Sequence, residues 1–161
     1  MRKVDAVYDM NALIGSALWQ CQALENTLVH YIVLKYRIKR GESPELAEAA
    51  FESVKKLTFG NLLADIRKQS DSPPSLVDRL VLLVKERNWL AHRCYSENQG
   101  ALSSPKRLAA LMNRCESIAQ EALSLSKEFA NLLENFVIVS GVSREELDAH
   151  AAKLIASWSE E

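Results

Sequence analysis

The sequence has 161 residues, of which 48% are hydrophobic and 25% charged. This is the composition of one globular domain, and it excludes a disordered tail, a collagen-like chain or a coiled-coil rod. The 20 Lys and Arg balance 21 Asp and Glu, which excludes a general attraction to nucleic acid or acidic membranes, and five Gly with four Pro are too few for a barrel or sandwich of short strands.

The length of the apolar runs and the spacing of the cysteines indicate the cellular compartment of the protein. No apolar run approaches the roughly 18 residues that a membrane-spanning helix requires. Acidic Asp5 and Asp9 interrupt what would have to be the apolar part of an export signal. Cys21, Cys94 and Cys115 are odd in number and lack CxxC spacing, as expected of buried thiols in a reducing compartment. We therefore expect a cytoplasmic protein that does not enter membranes and carries neither a metal ion nor a cofactor.

The first predicted element is a long amphipathic helix from about Asp9 to Arg40, because its apolar residues recur at spacings of three and four. Gly41 is expected to end it. The basic residues that favour a helix C-terminus here are Lys35, Arg37, Lys39 and Arg40. A solvated helix end is the simplest interpretation of this patch, with binding of an RNA backbone as the alternative.

Serine and threonine mark the next helix starts. Ser43 followed by Pro44 predicts a second helix to about Leu57. Thr58 is expected to cap a short third helix that continues through Ile66.

The fourth predicted helix follows the break at Pro73 and Pro74. Ser75 and Asp78 resemble a capping box and predict a helix to about Tyr95. The polar stretch 96–104 is expected to form a loop.

Two helices complete the chain. Ser104 followed by Pro105 predicts a helix to about Val139, ended by Gly141. The capping box at 143–146 predicts a last helix over about 143–158. The sequence thus predicts an all-α fold, a single up-and-down bundle of about five to six helices, in one domain over 1–161 with a core at about 9–139 and the last helix as an appendage.

The apolar stripe of the fourth helix contains an arginine. Projected at about 100° per residue from Leu76, Arg87 falls at about 20°. The apolar residues within roughly 40° of the same origin are Leu80, Leu83, Leu90 and Cys94. A guanidinium is always charged and is rarely buried without a partner. Arg87 therefore requires an acid, an anion or a wet crevice, and Glu25 of the first helix is the first candidate.

Asn88 and His92 lie one turn apart at the edge of this stripe, so the amide can orient the imidazole. The run Arg87-Asn88-x-Leu90-Ala91-His92 resembles the Arg-x4-6-His signature of the HEPN (higher eukaryotes and prokaryotes nucleotide-binding) superfamily, in which a polar residue often follows the arginine. Residues 58–63 also resemble a segment that often precedes the motif helix, and the similarity in helix order covers most of 9–139. The resemblance implies a small helical bundle with the motif on a late core helix.

For many members the resemblance implies metal-independent RNA cleavage, with Arg and His from two protomers meeting at a dimer interface. Here His92 would accept the proton of a ribose 2′-hydroxyl, and Arg87 would bind and stabilise the phosphate as its negative charge grows. Asn88 would orient the ring or bind phosphate, and the product would be a 2′,3′-cyclic phosphate. A role as toxin or defence component, with an antitoxin or regulatory protein as partner, belongs to the same expectation.

The alternative is a non-catalytic helical interaction module that regulates a partner protein, since some family members keep the fold without known catalysis. In that case Arg87 forms a structural ion pair and His92 is a solvated residue at a helix end. His30 and His150 are isolated in the sequence and lack the paired spacing of metal ligands.

Leu82 and Trp89 predict an interface on the opposite side of the fourth helix. They project at about 240° and 220°, away from the main stripe, on a side that should be exposed to solvent in a monomer. One possible cover is the last helix, whose apolar residues are Leu147, Leu154, Ile155 and Trp158. The other is a second copy of the chain, and we expect a homodimer whose interface includes Leu82 and Trp89.

Overall fold

A computed structural model describes residues 3–39 and 41–158, with the side chains of Lys3, Leu154 and Trp158 outside the description. Over these residues the chain forms seven α-helices and no strand, which confirms the predicted all-α fold. Arg40 of the basic patch and the side chains of Leu154 and Trp158 lie outside the described part.

Helix α1 spans Lys3–Ile32 and continues as a π-helical segment over Val33–Arg37. It begins six residues before the predicted start. In the π-helical segment the Ile38 amide donates to the Val33 carbonyl at 3.0 Å, one residue further along than in an α-helix. This wider turn keeps Val33 fully buried while Lys35 reaches Asp71, 2.8 Å away.

Helices α2 (Pro44–Lys55) and α3 (Phe59–Arg67) confirm the predicted caps. The Ser43 hydroxyl accepts from the amide of Leu46, and the Thr58 hydroxyl accepts from the amide of Asn61. Each cap satisfies an amide that the first turn of a helix leaves without an intrahelical partner.

Helix α4 spans Pro74–His92 and differs from the prediction at both ends. Pro73 occupies the N-cap position and no side chain caps the helix, so the predicted capping box at Ser75 is wrong. The chain turns at Arg93 instead of at Tyr95 and forms a one-turn helix, α5, over Cys94–Glu97. A 3-10 turn follows over Ala101–Ser103, so short helical turns replace much of the predicted loop.

Helix α6 spans Pro105–Val139, as predicted, and the Ser104 hydroxyl accepts from the amide of Arg107. Gly141 follows it with a φ of 101°, a left-handed conformation that favours glycine. Helix α7 spans Arg144–Trp158 and begins with a complete capping box between Ser143 and Glu146.

The core lies between α1, α3, α4 and α6. The hydroxyls of Thr27 and Ser126 lie 2.8 Å apart, and one turn later Tyr31 packs edge-on against Phe129. The contacts advance in the same direction along both helices, so α1 and α6 run parallel. Arg79 near the start of α4 pairs with Glu121 and Glu128 of α6, whereas Glu86 later in α4 pairs with Arg114 earlier in α6, so the two helices run antiparallel. The largest fully buried side chains include Leu24, Leu28, Ile66, Leu80, Leu125 and Phe129.

Candidate functional site at the end of α4

Arg87 faces α1 and is anchored there by Glu25. Its Nε donates to Glu25 Oε1 at 3.2 Å, and its Nη2 lies 3.1 Å from the same oxygen. The two side chains are 29% and 20% exposed, so solvent still reaches the pair. An arginine in an apolar stripe thus obtains the carboxylate that its charge requires.

Cys21 lies beside this ion pair. The side chain is fully buried, and this burial raises the pKa of its thiol to about 11, with a smaller contribution from the Glu25 carboxylate. The charge of Arg87 acts in the opposite direction. All three cysteines are buried and free, as the sequence predicted.

Asn88 and His92 occupy the last turns of α4 and are exposed. They are one turn apart and share one side of the helix. Arg87 and His92 are five residues apart and project about 140° apart around the helix axis. Within one protomer, therefore, the imidazole and the guanidinium do not face a common point.

Trp89 is covered by its own chain. It is 3% exposed, its Nε1 donates to Glu97 Oε2 at 2.6 Å, and the Arg114 guanidinium stacks 3.4 Å from the ring centroid. The prediction that Trp89 lies on an open face is therefore corrected: α5 turns back beside α4, and α6 closes the remaining side. The last helix, considered above as a cover, is not what encloses the indole.

Leu82 remains exposed, at 61%. It borders a cleft of about 500 Å³ between α4 and α6, whose floor includes Leu83 and Ile118. The cleft is flanked by ion pairs, with Arg79 on Glu121 at one end and Arg114 on Glu86 at the other. Leu82 and Trp89 thus do not form the single apolar strip that the helical projection suggested.

Arg114 and Glu97 are neighbours of the motif that the sequence did not reveal. With Trp89, Asn98 and Arg107 they line a cavity of about 360 Å³ beside the end of α4. The Glu86 carboxylate beside Arg114 raises the pKa of that guanidinium. Both residues lie outside the motif and depend on the fold for their position, so no local sequence signal identified them.

Lys35, Arg37 and His30 have partners within the protomer. Lys35 pairs with Asp71 and Arg37 with Asp65, at 2.8 and 2.7 Å, which accounts for half of the basic patch. His30 Nδ1 donates to the carbonyl of Asn26. Among the described residues no group of three or more His, Cys, Asp or Glu side chains is arranged to hold a metal ion. In the same part of the chain no helix is long and apolar enough to cross a membrane.

No protein-family model, curated protein or solved structure matches this chain.

Proposed function

We propose that this is a HEPN-like protein that binds RNA and cleaves it without a metal ion, through Arg87, Asn88 and His92. The observation that carries the proposal is the exposed Asn88 and His92 pair at the end of α4, on a helix whose Arg87 is held by Glu25 on the side that faces α1. An exposed imidazole with a neighbouring amide and a fixed guanidinium provides a base, an orienting group and a phosphate ligand.

The reaction would be transesterification within the RNA backbone. His92 accepts the proton of a ribose 2′-hydroxyl while the 2′-oxygen attacks the adjacent phosphorus. The bond to the 5′-oxygen breaks, that oxygen takes up a proton, and the products are a 2′,3′-cyclic phosphate and a 5′-hydroxyl. DNA lacks the 2′-hydroxyl and cannot react in this way.

Arg87 retains donors for a phosphate. A guanidinium has five N–H groups, and Glu25 engages the edge formed by Nε and Nη2. The remaining donors can bind phosphoryl oxygens and stabilise the charge that develops on them. Because Arg87 and His92 of one protomer face different directions, the proposal includes a homodimer in which His92 acts with Arg87 of the partner subunit. A toxin or defence protein controlled by an antitoxin is the setting that the family resemblance suggests.

The test is incubation of the purified protein with single-stranded and structured RNA in EDTA, followed by analysis of the 3′ ends. His92→Ala should lower the cleavage rate by about 10²- to 10⁴-fold, the usual contribution of a positioned general base. His150→Ala is the matched control, because His150 is also exposed but lies on α7. Arg87→Lys keeps the charge and removes the forked donor geometry, and it should also impair cleavage while helicity is unchanged.

Cleavage at the wild-type rate by His92→Ala and Arg87→Lys would indicate a contaminating nuclease and would contradict the proposal. No cleavage by the wild-type protein, with the fold intact, would favour the second candidate, a non-catalytic module that regulates a partner protein. The observation in favour of that candidate is that Arg87 already has an intrachain carboxylate partner, while Leu82 stands exposed beside an apolar cleft.

A further inference from the structure

The middle of the outer face of α1 presents large aromatic side chains to solvent and carries no charge. From Met10 to Leu24 the sequence contains no Asp, Glu, Lys or Arg. Tyr8 and Trp19 on this helix are 72% and 70% exposed. A helix at the surface of a bundle normally presents charged and polar side chains outward. This face is therefore unusual for a helix face that contacts only solvent.

The exposed polar residues Asp5, Asn11 and Ser16 lie at the edges of this face, whereas its exposed apolar residues share one side of the helix. At about 100° per residue they fall within a sector of about 80°, roughly opposite the core positions. We call this sector the α1 stripe; it consists of Val4, Tyr8, Ala12, Gly15 and Trp19. The core side of the same helix includes Ala17, Cys21 and Leu24, all fully buried. The stripe is therefore a second apolar face of α1, and nothing in the described part of the chain covers its aromatic side chains.

Gly15 lies in the middle of the stripe and has no role in the packing of its own protomer. A Cβ added there would meet no atom within 4 Å. Glycine inside a helix costs about 1 kcal/mol relative to alanine, so the protomer alone would be more stable with alanine. A small residue here does allow the backbone of another helix to approach closely.

We propose that α1 packs antiparallel against α1 of a second copy, about a two-fold axis that passes between positions 13 and 14. This register places Tyr8 against Trp19 of the partner subunit and Ala12 against Gly15 of the partner subunit. Two aromatic pairs then flank one close crossing of small residues, and both copies use the same surface, as two-fold symmetry requires. A parallel arrangement would instead bring Asp5, at the edge of the stripe, close to its own copy, with an unfavourable like-charge contact.

The buried area suits a moderately stable dimer. A buried Tyr or Trp removes about 150–250 Å² from solvent, so the exposed seven-tenths of four such side chains supply roughly 400–700 Å². Val4, Ala12, Gly15 and the flanking atoms bring the total to about the 1,000 Å² that a specific interface needs. We therefore expect association in the micromolar range and not a permanent dimer.

The end of α4 lies at the same level along α1 as the axis. Met10, Asn11 and Ile14 of α1 line a cavity of about 210 Å³ together with Leu90 and Tyr95. Tyr95 is 82% exposed and extends the apolar surface next to the stripe. The dimer would thus bring the two α4 ends to the same region of the assembly, but the interface itself does not depend on RNA cleavage.

The test is the mass in solution, measured by light scattering over a concentration series. The wild-type protein should be dimeric at tens of micromolar, and Gly15→Arg and Trp19→Glu should each weaken the dimer at least about 10-fold. The arginine has open space in the protomer, so the thermal melt of dilute Gly15→Arg should show an intact fold. Ala49→Arg on the exposed face of α2 and Leu82→Glu on α4 are controls that should leave the dimer intact.

Three results would overturn this interface: a wild-type protein that stays monomeric at about 100 μM, a dimer that both stripe variants retain, or a dimer that Leu82→Glu dissociates. The RNA cleavage assay is independent of these masses. A dimer that is lost only in the stripe variants supports the interface even if no RNA is cleaved.

Discussion

At the scale of single residues, two side chains of α4 show what helical periodicity can predict and what it cannot. Periodicity identifies Arg87 because it falls in an apolar stripe, and a buried charge needs a partner. The partner it obtains, Glu25, is the candidate named from the sequence. A helical projection misplaces Trp89 because it treats the side opposite the core as solvent, whereas α5 and Arg114 occupy that side here. A local sequence pattern cannot show contacts with residues from distant parts of the chain.

Cys21 links this site to the stability of the whole protein. Its thiol has a pKa of about 11 in the folded state, against an ordinary value of 9.0. The folded state therefore holds the proton more tightly than the unfolded state. This contribution to stability is fully present below about pH 9 and is lost as the pH rises from about 9 to about 11.

We expect the free energy of unfolding to fall over this interval, with up to about 2–3 kcal/mol from Cys21. Cys21→Ala should remove that part of the slope, whereas the part from Cys115, whose pKa burial also raises to about 11, should remain. The measurement is urea unfolding at several pH values. Any cavity that the substitution creates lowers stability equally at every pH, so only the slopes are compared, and identical slopes for the two proteins would contradict the assignment.

At the scale of helices, capping residues predict four helix starts correctly and one, at Ser75, incorrectly. Ser43, Thr58, Ser104 and the box at Ser143 all cap helices as expected. Ser75 does not, because Pro73 and Pro74 already set the extended-to-helical transition and the helix begins two residues earlier, at Pro74. A proline at the first helical position and a serine after it are two competing start signals, and the fixed φ of proline decided between them.

These two serines provide a matched test of helix capping. Ser104→Ala removes the acceptor for the Arg107 amide and should lower the free energy of unfolding by about 1 kcal/mol. Ser75→Ala changes an exposed residue inside the first turn of α4, where alanine is the better helix former, and should be neutral or stabilising by a few tenths of a kcal/mol. Both values come from urea unfolding, and an equal loss in the two variants would show that Ser75 caps α4 after all.

The π-helical segment after α1 is the element that the sequence could not predict. Its residues continue the apolar spacing of three and four, so periodicity alone extends an ordinary helix through them. The wider turn allows Lys35 to contact both Tyr31 and Asp71, and Tyr36 to donate to Asp71 at 2.9 Å. The lysine also lies over the rings of Tyr31 and Tyr36. The π-helical turn therefore accompanies contacts with Asp71, in the turn before α4, which a local sequence pattern does not contain.

At the scale of the whole molecule, α7 stands apart from the bundle. Of its described side chains only Leu147 is partly buried, and a crevice of about 570 Å³ separates the helix from α1 and α6. An ion pair between Arg144 and Glu134, at 2.6 Å, is a further contact with α6. The fully buried core of α6, by contrast, extends to Phe129.

This arrangement predicts that a chain ending at Val142 still folds. Removal of α7 uncovers little apolar surface, so the loss should stay near 1 kcal/mol, equivalent to a melting temperature about 2–4 °C lower for a domain of this size. A chain ending at Ser126 is the control: it removes Phe129, which packs edge-on against Tyr31, and should unfold the bundle. Circular dichroism melts distinguish the cases. A shorter chain that loses its cooperative transition when only α7 is missing would show that the last helix belongs to the core.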